Sequence, residues 1–515
     1  MGYVIGVDVG TTSTKSVLFT QKGEVVKQHT VSYSLHVTTP GAAKQDPDEI
    51  FAAVIKTVGK VIEDSKVNPA RVLCLSLSAA MHSLIAVDAA GKPITKSLTW
   101  ADNRSAKWAK EIKQAEYAQE IYLATGTPIH SSSPLSKLVW LRQEYPELFK
   151  QAAKFISIKE YIVYCLFQTY VVDYAIAAAT GLLNLQQLSW DHFALEVAGI
   201  DESKLSQLVP TTHLLHSMQP EYQEAMGLAA ETPLVMGASD GVLSNLGVGA
   251  VSPRVVAVTV GTSGAIRAMV DKPRTDAQQR LFCYPLTESH WVIGGAVNSG
   301  GVVLRWVREQ LADSEVATAK HLDQNIYDIL SAIAATVPPG SEGLIFHPYL
   351  TGERSPLWDA HARGSFFGLG LHHTKAHLIR AVLEGVVYNL YLVLQALENV
   401  MGEATSIHVT GGFTQSLLWR QILADVFHRE ITLPAVEESS CFGAAVLGLY
   451  ALKEIPALER VDEMIGEMEK QQAITQNVEV YQKILPVYTR LLEKFKGEYA
   501  SIAHLHSRTF LSQEG

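Results

Sequence analysis

The sequence predicts an α/β protein with mixed sheets, made of two halves that repeat one another, and three observations carry that prediction. The chain opens with a β-branched run, Val4-Ile5-Gly6-Val7-Asp8-Val9, a Gly10-Thr11-Thr12 turn and a second run from Ser13 through Phe19. The pattern returns at Val255-Val256-Ala257-Val258-Thr259-Val260, followed by Gly261-Thr262-Ser263 and Gly264-Ala265-Ile266. After each hairpin, helix-period segments alternate with short β-rich runs, and because the opening hairpins are antiparallel the sheets must be mixed.

Each element has a local reason. Asp46-Pro47-Asp48-Glu49 starts a helix: a capping aspartate, proline at the first helical position and an acid three residues on. Ile50, Val54, Val58 and Val61 give that helix its apolar stripe. Arg71 to Ser78 reads as a strand ending in small polar residues, the signature of a strand whose C-terminal end meets a ligand crevice, and it continues into Ala79-Ala80-Met81-His82. Pro233 to Ser239 is a strand that runs into a glycine-flanked acid, Asp240, and residues 249–254 read as a linker. The second half is expected to hold a helix from about Gly300, a long helix over about 377–400 in which Gly385 permits close packing, a strand at 406–410, then Gly411-Gly412 and a further helix. The expected domains are 1–248, 249–451 and a charged, helix-prone peripheral extension over 452–515.

A chain of 515 residues with 47% apolar content can bury large cores. Its net charge of −10 argues against broad attraction to nucleic acid or to an anionic membrane surface, so an anionic ligand must be held by local groups. The four cysteines, Cys74, Cys165, Cys283 and Cys441, form no CxxC pair, which suggests neither a zinc site nor a disulfide framework and fits a reducing cytoplasm. No signal-like N-terminal run is present, and polar residues are expected to interrupt the apolar runs short of membrane-spanning length.

The hairpins carry the chemistry. In the first, glycine lets backbone approach phosphate oxygens, Thr11 and Thr12 donate, Lys15 supplies charge, and Asp8 faces the metal that accompanies a nucleotide. A lone Gly-Thr-Thr turn would be an ordinary tight hairpin. Its repetition at Gly261-Thr262-Ser263 points to one polyanion held between two related halves. Neither a GxxxxGK[ST] loop nor a strand-borne GxGxxG occurs, which leaves a two-domain clamp of the actin-like (ribonuclease H-like) kind with ATP in the cleft. Ile407 to Ser416, a strand followed by paired glycines, suits a flat base lying against backbone. Asp240 between Ser239 and Gly241 can serve as a base or as a helix cap. Arg104 with Asp102 can grip a carboxylate and a hydroxyl or form a plain ion pair. His372, His373 and His377 invite a metal, but no carboxylate or cysteine completes a site, and they read as the start of a helix.

The chain resembles the FGGY carbohydrate kinases from residue 3 to about 450. Two stretches carry the likeness: Ser132-Ser133-Pro134-Leu135-Ser136-Lys137-Leu138-Val139-Trp140-Leu141-Arg142-Gln143-Glu144, and Gly364-Ser365-Phe366-Phe367-Gly368-Leu369 followed by His377-Leu378 and Ala381-Val382-Leu383-Glu384. Within the family, the segments around Met81-His82, Trp100 to Arg104, Thr125 to His130 and Gly237 to Gly247 are most similar to bacterial gluconate kinases. That resemblance, not composition or spacing, implies D-gluconate as substrate. Met81 and His82 stand where glycerol kinases carry an Arg-Glu pair, and Ser132 where they carry a pocket tyrosine, so glycerol is not expected.

The resemblance implies ATP as phosphoryl donor, magnesium as cofactor, and transfer to the terminal hydroxyl of the sugar acid. Asp240 would be the catalytic base, and Asp8 and Asp240 the metal side. Gly10, Thr11, Thr12, Lys15, Gly261, Thr262 and Ser263 would hold phosphates, with Gly301, Arg305, Gly411, Gly412 and Ser416 on the nucleoside side. Met81, His82, Trp100, Asp102, Arg104, Ser132, Asp240 and Gly241 would form the acceptor site. Closure over both ligands would exclude water, which competes as acceptor. The partners are small molecules, with no nucleic acid or membrane, and a homodimer is one assembly open to such a chain. Other readings at this level are a kinase for xylulose or a related ketose or polyol, an ATP-driven assembly protein on the actin-like scaffold, and a catalytically silent sugar sensor.

Overall fold

The computed structural model describes residues 2–436 and 438–511. Contacts divide the chain into two units: 1–253 with 268–293 and 435–466, and 254–267 with 294–434 and 467–515. This differs from the sequential halves expected above, because the strands Gly264–Val270 and His290–Val297 each cross the division and a late segment, 435–466, belongs to the first unit.

The first unit is built on a six-stranded sheet in the order Leu214–Leu215, Leu234–Ser239, Val72–Ala79, Tyr3–Val9, Ser13–Thr20, Val25–Ser32. Tyr3–Val9 is parallel to Val72–Ala79 and antiparallel to Ser13–Thr20, so the sheet is mixed as predicted. The two-residue period of a strand assigns its faces. Ile5, Val7 and Val9 point to the helix Pro47–Ser65 and share a buried cluster with Ile50, Val54, Val58 and Val61. Asp46 caps that helix as its sequence predicts, its side chain accepting from Asp48 N. The alternate residues Val4, Gly6 and Asp8 face the helix Ser439–Ala451, which comes so close that a Cβ on Gly6 would lie 2.0 Å from the Cys441 carbonyl oxygen.

In the second unit, Val255–Val260 lies parallel to Ser406–Thr410, which is parallel to Ile431–Pro434, and Met468–Gln471 pairs antiparallel with the last. The helix Lys375–Met401 is long and apolar enough to cross a membrane by length and composition. This corrects the expectation that polar residues interrupt every such run, yet 83% of its apolar window is buried inside the structure, as in a core helix. Its two central charges neutralise each other: Arg380 Nε donates to Glu384 Oε1 at 2.8 Å, and Glu384 also accepts from Gly340 N and Ser341 Oγ, each at 2.9 Å. Gly385 packs against strand backbone, where a Cβ would lie 2.2 Å from the Phe346 carbonyl oxygen. The charged C-terminal stretch supplies core as well as surface. Tyr481 and Tyr488 on the helix Thr475–Leu511 are fully buried, and the Tyr481 hydroxyl donates to Glu384 at 2.9 Å.

Candidate active site

The first unit gathers Asp8, Lys15 and Ser78 by register alone, at the edge formed by the ends of its central strands. Asp8 is paired with Lys15 on one side and with Ser78 on the other, so all three side chains emerge on the face toward Ser439–Ala451. Ser78 Oγ donates to Asp8 Oδ1 at 2.6 Å. Lys15 Nζ forms an ion pair with Glu438, the residue preceding that helix. Burial pushes the Asp8 carboxyl up to about 7, and the nearby negative charges of Asp240 and Glu438 push the same way against Ser78 and Lys15. A group of carboxylate and hydroxyl oxygens whose charges repel until a cation arrives suits magnesium, which takes one or two protein carboxylates and completes its shell with phosphate and water.

Asp240 reaches this edge through a distorted strand. The register of Leu234–Ser239 against Val72–Ala79 shifts between Val235 and Ala238. Within the shift Gly237 has φ +67°, and a Cβ there would stand 1.7 Å from the Leu77 carbonyl oxygen, so only glycine fits. The strand then passes directly into the helix Asp240–Gly247, whose Ser239 cap makes no side-chain capping bond. Asp240 stands half-buried in the first turn, with Oδ1 accepting from Gly241 N at 2.7 Å, at the end of a helix that favours a carboxylate. Behind it, fully buried Lys159 pairs with Asp173 at 2.8 Å and donates to the Ala238 carbonyl at 3.1 Å.

The other acceptor candidates lie on three segments of the same unit. His82, at φ +68°, is buried, and its Nδ1 lies 2.7 Å from the Ala179 carbonyl oxygen, so this nitrogen carries the proton. Trp100 Nε1 donates to Thr11 Oγ1 at 2.9 Å, joining the acceptor group to the first hairpin. Arg104 makes a bidentate pair with buried Asp102, Nε to Oδ1 at 2.9 Å and Nη2 to Oδ2 at 2.7 Å, while its guanidinium lies 4.4 Å from the Trp140 ring centroid. Asp102 also accepts from Ala43 N at 3.1 Å. Ser132 is buried against His130, its Oγ 3.0 Å from Nδ1.

The second hairpin lies in the other unit and is used differently. Gly301 N and Val302 N, in the first turn of the helix Gly301–Gln310, donate to the carbonyls of Gly261 and Thr262 at 2.7 and 3.0 Å. Beside them opens a cavity of about 370 Å³. Six residues expected on the nucleotide side, Gly261, Thr262, Gly301, Arg305, Gly412 and Ser416, line it together with Phe413 of the glycine-bearing segment, and so do Asn325, Tyr327, Asp328 and Ser331, which sequence reasoning missed. Gly411 is not in the lining. Its φ of +102° and a Cβ position 2.4 Å from the Val260 carbonyl oxygen make it the turn that brings Gly412 to the wall. Gly412 has nothing within 4 Å of such a Cβ, so one side of this wall is bare backbone, the surface a planar base can lie on.

The remaining residues missed from sequence are Ser78 and Glu438 in the first unit. Ser78 could have been found from the strand-end position already noted, whereas nothing local marks Glu438, which lies 423 residues from Lys15. Among the described residues no set of three or more histidine, cysteine or acidic side chains is arranged to hold a metal, so a cation here would depend on oxygens that the ligand brings.

A cavity walled in part by bare backbone beside one Gly-Thr hairpin, and a paired-carboxylate edge beside its copy, are the parts of a phosphotransferase on a duplicated ribonuclease H-like fold. The chain belongs to the FGGY family of carbohydrate kinases: the family's N-terminal domain matches residues 3–247 and its C-terminal domain residues 256–452. It is 50% identical to the gluconokinase of Bacillus licheniformis over 503 residues, 98% of each chain. Among solved structures, it is similar to a ligand-bound xylulose kinase from Lactobacillus acidophilus, with a TM-score of 0.92 and 37% identity over 98% of this chain and 100% of that one. It is also similar to a gluconate kinase from the same organism, with a TM-score of 0.91 and 37% identity over 97% of this chain and 99% of the other.

Proposed function

We propose that this chain transfers the γ-phosphate of ATP to the terminal hydroxyl of D-gluconate, giving 6-phospho-D-gluconate and ADP. The observation that carries the chemistry is Asp240, delivered by the Gly237 distortion to a helix start beside Asp8. The substrate assignment is supported by 50% identity to a gluconokinase over almost the whole chain. In this reading acceptor chemistry stays within 1–248 and nucleoside binding within 249–451, and the reaction takes place in the cytoplasm.

Asp240 accepts the proton of the terminal hydroxyl as that oxygen bonds to the γ-phosphorus and the bond to the bridging oxygen breaks, with the charge leaving on ADP. Asp8, held by Ser78, is the carboxylate that keeps magnesium at the phosphates. Magnesium, when bound, neutralises charge on the phosphate oxygens. Thr11 and Thr12 donate to phosphate, as do Thr262 and Ser263 of the second hairpin, and the cavity by Gly412 takes the adenosine. Arg104, with Nε and Nη2 engaged by Asp102, offers its Nη1 edge to the sugar carboxylate, a planar match that a point charge would not give.

The test is a panel of sugars with purified protein and ATP. Gluconate should exceed xylulose, ribulose and glycerol in kcat/KM by about tenfold or more. Xylulose is the rival to weigh first, given the likeness to a xylulose kinase structure, and equal or faster turnover of it overturns the gluconate assignment. D240N should lower kcat by about 10²- to 10⁴-fold while ADP affinity stays within about threefold, and retained turnover would remove Asp240 from the base role.

A further inference from the structure

Lys137 is fully buried on the helix Pro134–Glu144, and among the described residues it makes no ion pair with a carboxylate. Its Nζ donates instead to two main-chain oxygens, His82 O at 2.6 Å and Thr99 O at 2.7 Å. A buried ammonium is expensive, and a methionine of the same length would fill the space without that desolvation. Core packing therefore does not account for the lysine, whereas its two bonds do.

These two carbonyls occupy a particular place in the backbone. Just before them the segments are joined by an antiparallel bridge, Leu84 N to Leu98 O at 3.0 Å and Leu98 N to Leu84 O at 2.9 Å. Farther out lie Thr99, one residue past Leu98, and His82, two residues before Leu84, and there the ammonium bonds to both carbonyls, acting as a ladder rung made by a side chain. Beyond that rung the segments carry Met81 and His82 on one side and Trp100, Asp102 and Arg104 on the other. His82 also sits at a positive φ, unusual for a residue other than glycine and kept only where the surroundings enforce it. One turn along the same helix, at the i+3 position that shares its face, Trp140 lays its ring against the Arg104 guanidinium. Ser132 lies two residues before the helix begins.

We propose that Lys137 is the positioning residue of the sugar site: it sets the spacing of the two acceptor segments, and Trp140 on the same helix face sets the direction of Arg104. This gives a physical reason for Lys137 and Trp140 standing together in the stretch Ser132 to Glu144 that carries the family likeness. It rests on the reading that these segments receive the sugar. Preorganisation of this kind acts on ligand affinity and alignment through residues that the ligand never touches.

The test is calorimetric binding of gluconate and of ADP to K137M, W140L and the wild type, with steady-state kinetics alongside. K137M should raise the gluconate Kd and KM by about tenfold or more while the ADP Kd stays within about twofold, and W140L should do the same by a smaller factor. A folded K137M with gluconate affinity within twofold of wild type overturns the proposal, as does an equal loss of affinity for both ligands, which would mark a general structural role. Should K137M fail to fold, K137Q, which keeps an amide donor, carries the same comparison with an intermediate gluconate Kd expected and an unchanged one overturning it. Wild-type protein that binds no gluconate defeats the substrate assignment instead, and the Lys137 comparison is then read on whichever sugar the protein phosphorylates.

Discussion

The two hairpins have the same loop length and the same glycine at the apex, but only the first sets an acid opposite a base across its strands. Where the first has Asp8 paired with Lys15 across the strands, the corresponding positions of the second are Thr259 and Ile266. Asp8 is drawn into a network with Ser78, Asp240 and Glu438, while Thr259 lies 3.2 Å, hydroxyl to hydroxyl, from Thr410. The main chains are also spent differently. The first turn is braced by side chains, with Tyr33 OH donating to Gly10 O at 2.6 Å and Gln45 Nε2 to Thr11 O at 2.6 Å. The second is braced by the leading amides of a helix. A duplicated backbone therefore does not imply duplicated chemistry: one copy became a charged edge around Asp8, and the other became the wall of a cavity beside Gly412.

The largest test of that contrast is D8N against T259V. D8N should lower kcat by about 10²-fold or more, and T259V by less than about threefold, both measured at saturating sugar. Comparable losses in the two would erase the asymmetry. Next, G412L should fill the cavity and raise the KM for ATP by about tenfold with the KM for the sugar unchanged, because the new side chain meets open space and not packed atoms.

A smaller effect should appear in stability against pH, measured on ligand-free and metal-free protein. The Asp8 carboxyl is pushed up to about 7 in the fold and lies near 3.9 in the unfolded chain. Between these values the folded state holds a proton that the unfolded state has released, so Asp8 makes stability fall as pH rises. The slope is up to about 1.4 kcal/mol per pH unit. Denaturant titrations from pH 4.5 to 7 should show that slope reduced in D8N and kept in T259V. Smallest of all, T11V should cost about 1 kcal/mol by removing the hydrogen bond that Trp100 Nε1 donates to Thr11, whereas T262V, at an exposed position, should leave stability unchanged and raise the KM for ATP severalfold.

Much of this was legible before any coordinates. Both hairpins follow from β-branched runs around a glycine, and the Asp46-Pro47 start and the strand at 406–410 follow equally from local signals. Asp240 was legible as a glycine-flanked acid, but its placement depends on a backbone distortion at Gly237 that no periodicity announces. The Asp102–Arg104 pair was legible as two alternatives, and the structure shows the ion pair formed, with one guanidinium edge beyond it. Tyr327, Asp328 and Ser331 were missed because they sit on a helix with an ordinary amphipathic pattern, and nothing in such a pattern says which polar residue borders a cavity.

By itself the sequence determined the α/β class, the duplication, the positions of both Gly-Thr hairpin turns and the family signatures. All of these arise from neighbours along the chain, where propensity, turn chemistry and two-residue or 3.6-residue periods operate. Tertiary structure alone decided that Lys15 pairs with Glu438, that Lys137 bonds to two carbonyls and not to an acid, that Arg380 and Glu384 neutralise each other inside a core helix, and that 435–466 joins the first unit. For the buried charges the physical reason is shared. A buried charge is tolerable only with a partner, and the partner is chosen by how sheets and helices stack in space, which separation along the chain does not encode.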